Sequence, residues 1–491
     1  MTIDQDLITA ADQPSAPAGN FAAADLTDLA FARRIVKMFG RDLRYVHAWN
    51  TWLVWDGRRW CVDATDRASR LAKKVADSMW PDAPKRGGED AVAGWARYCM
   101  KASSHKVIMA ALSLAKSEPG IPVLPHELDA NPWLLNAKNG AVDLRTGKVH
   151  PHQREHLCTK LAGVSYDPEA LGKLDYLASA APTFARFLET SVGEPEKVAY
   201  LQRCVGYSLT GSTEEEVLLY LAGPGRNGKS KFLEAFLAIA GDYGAAMPHD
   251  LLAVRGESHP QRLAAFHGVR FATCVEVASG MLDVELLKLL TGGDTLTARR
   301  MRENQWSFAP THTLWMTANN DPKVSDRTIS IWQRLKKVPF DRTFVGADRD
   351  NRLAEKLRRE YPAMLAWAVQ GCLDWQSMQG LAEPEVVKAA TAGYRDSQDW
   401  VADFLSDRCV ESEQAVAYSG DVYKAYTGWV SENGLRHPVS QKALTMELKT
   451  RFGYEEKHGP ARKGAFIGLG LQTEHGRWAG PIDPPVDDEM F

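Results

Sequence analysis

The stretch that most constrains this chain is Leu218-Leu219-Tyr220-Leu221-Ala222-Gly223-Pro224-Gly225-Arg226-Asn227-Gly228-Lys229-Ser230. It reads as a short apolar strand, a glycine-rich turn and a helix from about Lys229 to Ala240. Gly223 and Gly228-Lys229-Ser230 satisfy the spacing G-x-x-x-x-G-K-[ST]. Glycines let consecutive backbone N–H groups turn inward around phosphates, and the helix N-terminus adds its positive end. The whole loop, Gly223, Pro224, Gly225, Arg226, Asn227, Gly228, Lys229 and Ser230, is therefore expected to cradle a nucleoside triphosphate. Lys229 would reach the β- and γ-phosphates and the Ser230 hydroxyl would ligate Mg²⁺. A chance glycine turn is the bland alternative, and the strand before and helix after it argue against that.

With 491 residues the chain has room for about three domains. Its 45% hydrophobic and 25% charged content are those of a soluble globular protein. The net charge of −3 gives no global basic field, so any nucleic-acid role must rest on local patches. The 7 cysteines are scattered without a C-x-x-C pair, which argues against a zinc ribbon or disulfide framework and for a reducing compartment. No leader of the secretory kind and no run of about 18 apolar residues is present, so a cytoplasmic location without a membrane partner is expected.

Residues 1–24 read as a disordered leader, and 25–130 as a mixed α+β domain with a helix at 26–39. Within it, Trp49, Trp52, Trp55 and Trp60 flank an Asp56-Gly57 turn and serve more readily as core than as base-stacking platforms. Residues 131–211 read as a helical domain, with a short strand framed by turns near Asn139-Gly140 and helix over 184–209. Strands at 269–275 and 313–318 alternate with helices through 212–378, which predicts an α/β fold with a parallel sheet. In such sheets chemistry gathers at the carboxyl ends of the strands. A linker is expected at 379–396. A winged-helix domain at 397–475 follows, with helices at 401–406 and 423–432, a third after Pro438-Val439-Ser440, and a flexible tail at 476–491.

A phosphate cradle needs partners before it hydrolyses anything. Glu276, closing the second strand, is the candidate general base and, with Ser230, the candidate metal ligand. Asn319 follows the third strand and is suited to hold the γ-phosphate or the attacking water, with Asn320 its rival. Arg334 is the candidate arginine finger, of a kind worth ~10³–10⁵ in rate where measured, with Arg327 as alternative. Between the strands lie Lys288 and a hairpin with arms at 297–301 and 306–308. Its residues Arg299, Arg300 and Arg302 suit a phosphate backbone. Near the C-terminus Arg436, Lys442, Lys449, Arg451, Lys457, Arg462 and Lys463 face Glu447, Glu455 and Glu456, a local +4. Lys442, Lys449 and Arg451 are the DNA-contact candidates there.

Gly-Pro-Gly-Arg-Asn-Gly-Lys-Ser230, Glu276, the run from Lys288 through Gly292-Gly293-Asp294 to Arg299, Asn319-Asn-Asp-Pro322 and Ile-Trp-Gln-Arg334-Leu recur in helicase order. Together they resemble the superfamily III motifs of phage and plasmid primase-helicases, relatives of the poxvirus primase-helicase. Over about 130–345 the resemblance is strong. It implies an AAA+-like P-loop core in a homo-hexamer, ATP and Mg²⁺ bound between subunits, Arg334 acting in trans and the hairpin gripping single-stranded DNA. Fork or origin DNA and a separate primase or initiator are the implied partners. Two departures stand out. Val277 and Ala278 follow Glu276 where many family members carry a second acid, and the first 130 residues show no D-x-D strand or Cys/His cluster. The expectation is a helicase without primase catalysis in this chain. An origin-binding initiator, an AAA+ remodeller or an unrecognised primase site are the alternatives.

Overall fold

The computed structural model describes residues 26–85, 88–171, 176–254, 260–277, 281–299, 305–324, 329–432, 438–458 and 464–472. The leader expected at 1–24 and the tail expected at 476–491 lie outside the described residues. Two compact units divide between Lys388 and Ala389.

In the first unit, α1 (Asp28–Phe39) begins where the Thr27 hydroxyl accepts from the Ala30 amide, and it buries Phe31, Ala32 and Ile35 on one face. An antiparallel meander follows, β1 (Leu43–Val46), β2 (Thr51–Trp55) and β3 (Trp60–Val62). Asp56 closes its second turn by accepting from the Arg58 and Arg59 amides. α2 (Arg67–Ser78), α3 (Glu89–Ala102) and α4 (His105–Ala115) cover it. Trp55 and Trp60 are core and Trp52 packs half-buried against the helices, whereas Trp49 is 42% exposed.

Residues 131–211 contain a sheet as well as helices. β4 (Leu134–Ala137), β5 (Gly140–Asp143) and β6 (Lys148–His150) form a second meander, followed by α5 (Tyr176–Ala180), α6 (Pro182–Phe187) and α7 (Pro195–Ser208). The apolar face of such a small sheet has to be covered by another element. Their core residues, such as Leu135 and Val142, join one continuous cluster with Leu219, Phe232 and Trp367. The segment, expected to be a helical domain, therefore shares one core with the sheet that follows.

That sheet starts with β7 (Leu218–Ala222), which leads into α8 (Lys229–Ala240). Next come β8 (Gly244–Met247), α9 (Pro260–Leu263), β9 (Phe271–Cys274) and α10 (Val284–Thr291). A hairpin of β10 (Leu296–Arg299) and β11 (Gln305–Phe308) precedes β12 (Thr313–Ala318), α11 (Ile329–Arg334) and β13 (Leu335–Pro339). Five strands pair in the order β13-β7-β12-β9-β8, all parallel. Every residue of β7, β9 and β12 is buried, which is why their sequences run apolar without alternation.

The long α12 (Leu353–Met378) crosses α7 at two glycines. A Cβ on Gly206 would stand 2.1 Å from the Cys372 nitrogen, and one on Gly371 would stand 2.0 Å from the Gln202 carbonyl oxygen. The two backbones touch there. From the same helix, Glu360 accepts from the Thr183 and Phe184 amides at 3.0 and 2.8 Å, capping α6. The stretch 379–396 is not all linker, because α13 (Glu385–Asp396) occupies most of it. Its Val387, Thr391 and Tyr394 recur at helical spacing and are buried, a pattern obscured by the Pro384 just ahead.

The second unit contains α14 (Trp400–Arg408), β14 (Cys409–Tyr418), α15 (Ser419–Glu432), α16 (Gln441–Thr450), β15 (Glu455–His458) and β16 (Gly464–Leu471). Its antiparallel sheet has the order β14-β16-β15. β14 was not evident in the sequence. Its first half is acidic, the pairing is interrupted between Glu411 and Val416, and its buried run covers only Ala415, Val416 and Ala417. No described helix is long and apolar enough to cross a membrane.

The α7–α12 contact yields a direct test. Gly206→Ala or Gly371→Ala should force the helices apart and destabilise the protein by about 1–3 kcal/mol, as overpacked cores do. Thermal or urea unfolding will register this as a lowered midpoint, and unchanged midpoints would refute the close crossing.

Candidate active site

The loop from Gly223 to Gly228 is shaped by contacts that only small residues permit. Gly223 has φ +144°, and a Cβ there would stand 2.3 Å from the Phe340 carbonyl oxygen. Gly228 has φ +94°, and a Cβ there would meet the Phe187 ring at 2.7 Å. Asn227 is buried and donates from Nδ2 to the Phe340 carbonyl at 2.8 Å, fixing the loop to the exit of β13. Pro224, Gly225 and Arg226 are exposed, with Arg226 in the left-handed region at φ +62°. Ser230 is half-buried in the first turn of α8.

Lys229 folds back into this loop. Its Nζ donates to the Gly223 carbonyl at 2.5 Å and to Asn227 Oδ1 at 3.0 Å. The side chain is buried, and desolvation pulls its pKa down to about 8. A buried cation satisfied by neutral oxygens is poised to exchange them for anionic ones.

The sheet brings two more predicted residues to the same edge. β12 lies between β7 and β9, with Ala318 opposite Ala222 and Met316 opposite Cys274. Asn319 follows directly, and its Oδ1 lies 3.6 Å from where a Cβ on Gly225 would stand. β9 ends at Cys274, so Glu276 belongs to the turn beyond it and not to the strand end. It is exposed with φ +57°, and its N–H donates to Thr317 Oγ1 at 3.0 Å. The Val277 N–H donates to the Thr317 carbonyl at 2.9 Å. Cradle, amide and carboxylate thus share one rim.

Two residues that hold this rim were given no such role by the sequence. Thr317 staples the Glu276 turn, and its trace was a hydroxyl residue inside an otherwise apolar strand. Asp321 accepts from Tyr220 OH at 2.8 Å and from Lys337 Nζ at 2.6 Å, pinning the loop after Asn319 to β7 and β13. Its trace was the Lys336-Lys337 pair within a strand.

Arg334 is not on this rim. Leu335 pairs with Leu218 and Pro339 with Ala222, so Arg334 stands a full strand length from the loop, at the amino edge. It forms an ion pair with Glu216, and its Nη1 donates to the Ser330 carbonyl at 3.4 Å. Arg327 lies outside the described residues.

Among the DNA-contact candidates, Lys288 meets Glu285 of its own helix at 3.3 Å. Arg299 is exposed on β10 opposite Gln305, so the hairpin arms are 296–299 and 305–308, and Arg300 and Arg302 lie outside the described residues. Lys442 is exposed on α16. Lys449 meets Glu456 at 2.6 Å, while Arg451 is ion-paired with Asp399 and meets Glu447 at 3.0 Å. Arg436, Arg462 and Lys463 lie outside the described residues.

Three family models match the chain. Residues 32–193 match D5 N terminal like, residues 221–334 match a family of unknown function (DUF5906), and residues 396–465 match Poxvirus D5 protein-like. This chain is a relative of the D5-type primase-helicases. A protein of Acanthamoeba polyphaga mimivirus provisionally named a helicase is 26% identical over 343 residues, covering 64% of this chain and 34% of that protein. One of Frog virus 3, also provisionally named a helicase, is 26% identical over 276 residues, covering 50% and 28%. An African swine fever virus protein provisionally named a primase is 23% identical over 333 residues, covering 62% and 34%. The chain therefore spans about a third of the length of these curated relatives. The A form apo structure of the NrS-1 C-terminal region aligns with a TM-score of 0.48 and 8% identity, over 90% of this chain and 99% of that one.

The buried ammonium sets a pH test. Lys229 carries a proton less readily in the native chain than in the unfolded one, so the native state bears a penalty below pH about 8 that fades as pH rises towards 10.5. Lys229→Met should raise the melting midpoint at pH 7, and the gain should shrink across that window. A midpoint lowered at pH 7 would contradict the buried-cation account.

Proposed function

We propose that this D5-type relative is an ATP-driven DNA helicase of the superfamily III kind, acting in replication in a cytoplasmic setting. The observation that carries the reading is the shared rim of Lys229, Asn319 and Glu276, with Arg334 held at the opposite edge of the same sheet. A P-loop on one strand, an amide on the next and a carboxylate on the third support an AAA+-like core.

In that reading Lys229 gives up the Gly223 and Asn227 oxygens for phosphate oxygens of ATP, and loop amides from Gly225 to Ser230 surround the rest. Glu276, exposed and fixed by Thr317, takes the proton of the attacking water. Asn319 orients that water or the γ-phosphate with its amide. Ser230 and Glu276 are the residues suited to Mg²⁺, which when bound neutralises charge on the phosphates. Arg334, a strand length away from its own loop, serves the site of the adjoining subunit. That division supports a homo-hexamer in which each site is shared by two chains.

For DNA, the hairpin carrying Arg299, Arg300 and Arg302 lies in the chain between the acid strand and the sensor strand, and Lys288 stands just ahead of it. The second unit runs helix, strand, helix, helix, strand, strand, which supports a winged helix. Lys449 and Arg451 already have acidic partners there, so Lys442 is the better phosphate contact of the three. The substrates would be single-stranded and fork or origin DNA, with a separate primase or initiator as partner. The primase names among the relatives favour a second reading, a primase-helicase.

With ATP and Mg²⁺ on a forked duplex, the chain should displace a strand and Lys229→Ala should not. Arg334→Ala should lower ATP turnover by ~10³ or more. DNA-stimulated hydrolysis without displacement on either tail polarity would leave an initiator or remodeller instead, and template-directed dinucleotide synthesis would establish the second reading.

A further inference from the structure

Arg334 is held by an acidic turn between α7 and β7 that none of the chemistry above uses. Glu216 donates its N–H to the Thr213 carbonyl at 3.0 Å and adopts φ +47°, a left-handed conformation that costs a non-glycine residue energy. The turn is anchored on its core side. The Glu215 N–H donates to Tyr207 OH at 3.2 Å, and the Glu215 carboxylate accepts from Trp375 Nε1 at 2.6 Å. Tyr207 is fully buried on α7 and Trp375 nearly so on α12, so the turn is tied to the two helices that cross at Gly206 and Gly371. The Glu216 carboxylate is thereby set at a fixed point, where it pairs with Nη2 of Arg334.

We infer that Glu216 is a positioning residue for Arg334, holding Nη2 of the guanidinium so that the remaining N–H groups of Nη1 and Nη2 are kept for an anion on another subunit, while Nε is buried without a partner. This rests on the reading of Arg334 as a finger acting in trans. A guanidinium has five N–H donors, more than one carboxylate and the Ser330 carbonyl can engage. The Arg334 side chain is 21% exposed, so it is held by its surroundings without being sealed off from a phosphate of a neighbouring site. Preorganisation of this kind lowers the reorganisation needed when charge develops in a transition state. Because Glu216 acts through Arg334, its loss should slow turnover without weakening ATP binding at the intact P-loop.

The test uses the full chain and subunit mixing. Glu216→Ala should lower kcat for ATP hydrolysis by about 10- to 100-fold, the scale of a misplaced catalytic group, with KM nearly unchanged. Glu216→Gln, which keeps an acceptor of the same shape, should lose less and guards against a folding defect in the alanine variant. Glu216→Ala subunits have a sound P-loop and a misdirected finger, whereas Lys229→Ala subunits have the converse. Mixed, they should regain turnover that neither shows alone, which a merely structural defect would not allow. Wild-type kcat in Glu216→Ala overturns the inference. So does a failure to recover while an Arg334→Ala and Lys229→Ala mixture does recover. If that control mixture also fails, the trans reading of Arg334 falls, and the role of Glu216 with it.

Discussion

The parallel pairing of β12 with both β7 and β9 is the interaction on which the candidate site depends. It sets Ala318 level with Ala222 and Met316 level with Cys274. From those registers alone, Asn319 must emerge beside the glycine loop and Glu276 must turn back toward Thr317. A slip of one residue in either pairing would invert every side chain of the strand. The close packing of both faces of β12 disfavours that slip, because each side chain would have to fill a space shaped for another. The apolar run that makes the strand unremarkable as chemistry is thus what gives the polar residues beyond it fixed positions.

Strain concentrates where that frame ends. Among the described residues, Arg226, Glu276 and Glu216 combine a positive φ with a long charged side chain. They stand in the glycine-rich loop, at the candidate base and beside the candidate finger. Each departs from its preferred backbone at a cost of roughly 1–2 kcal/mol. The buried Lys229 ammonium adds a desolvation cost in the same region. These costs are sustained by the core, whose one cluster includes residues from Leu135 to Val387. Such a distribution is expected of a site selected for chemistry and not for stability.

The parallel sheet, the loop and the order of the polar residues were legible because each rests on local sequence. The G-x-x-x-x-G-K-S spacing, the apolar runs of β9 and β12, and the Asp56 turn all signal themselves within a few residues. What was missed depends on partners distant in the chain. Within the 131–211 segment nothing announces that Gly206 must admit the backbone of Cys372. Thr317 and Asp321 read as ordinary strand and loop residues until the sheet places Glu276 and Lys337 against them. β14 escaped because its first half carries the exposed Glu411 and Glu413 and its buried run is short. The charge count near the C-terminus also overstated the basic field, since Lys449 and Arg451 are used internally by Glu456, Glu447 and Asp399.

The position of Arg334 carries the argument from geometry to assembly. An arginine at the amino edge of a parallel sheet cannot reach a loop at the carboxyl edge without crossing the whole length of β13. It would have to do so through the buried core. The cradle and the finger of one chain are therefore separated by the strand length of its own sheet. If Arg334 is the finger, a chain alone lacks a complete site, and packing amino edge against carboxyl edge would complete one site per interface. Such a contact is heterologous, joining two different surfaces, and it closes only as a ring or continues as a helix. Hydrolysis would then report on assembly, and the contacts that fix Arg334 within its own chain would be part of the catalytic apparatus of its neighbour.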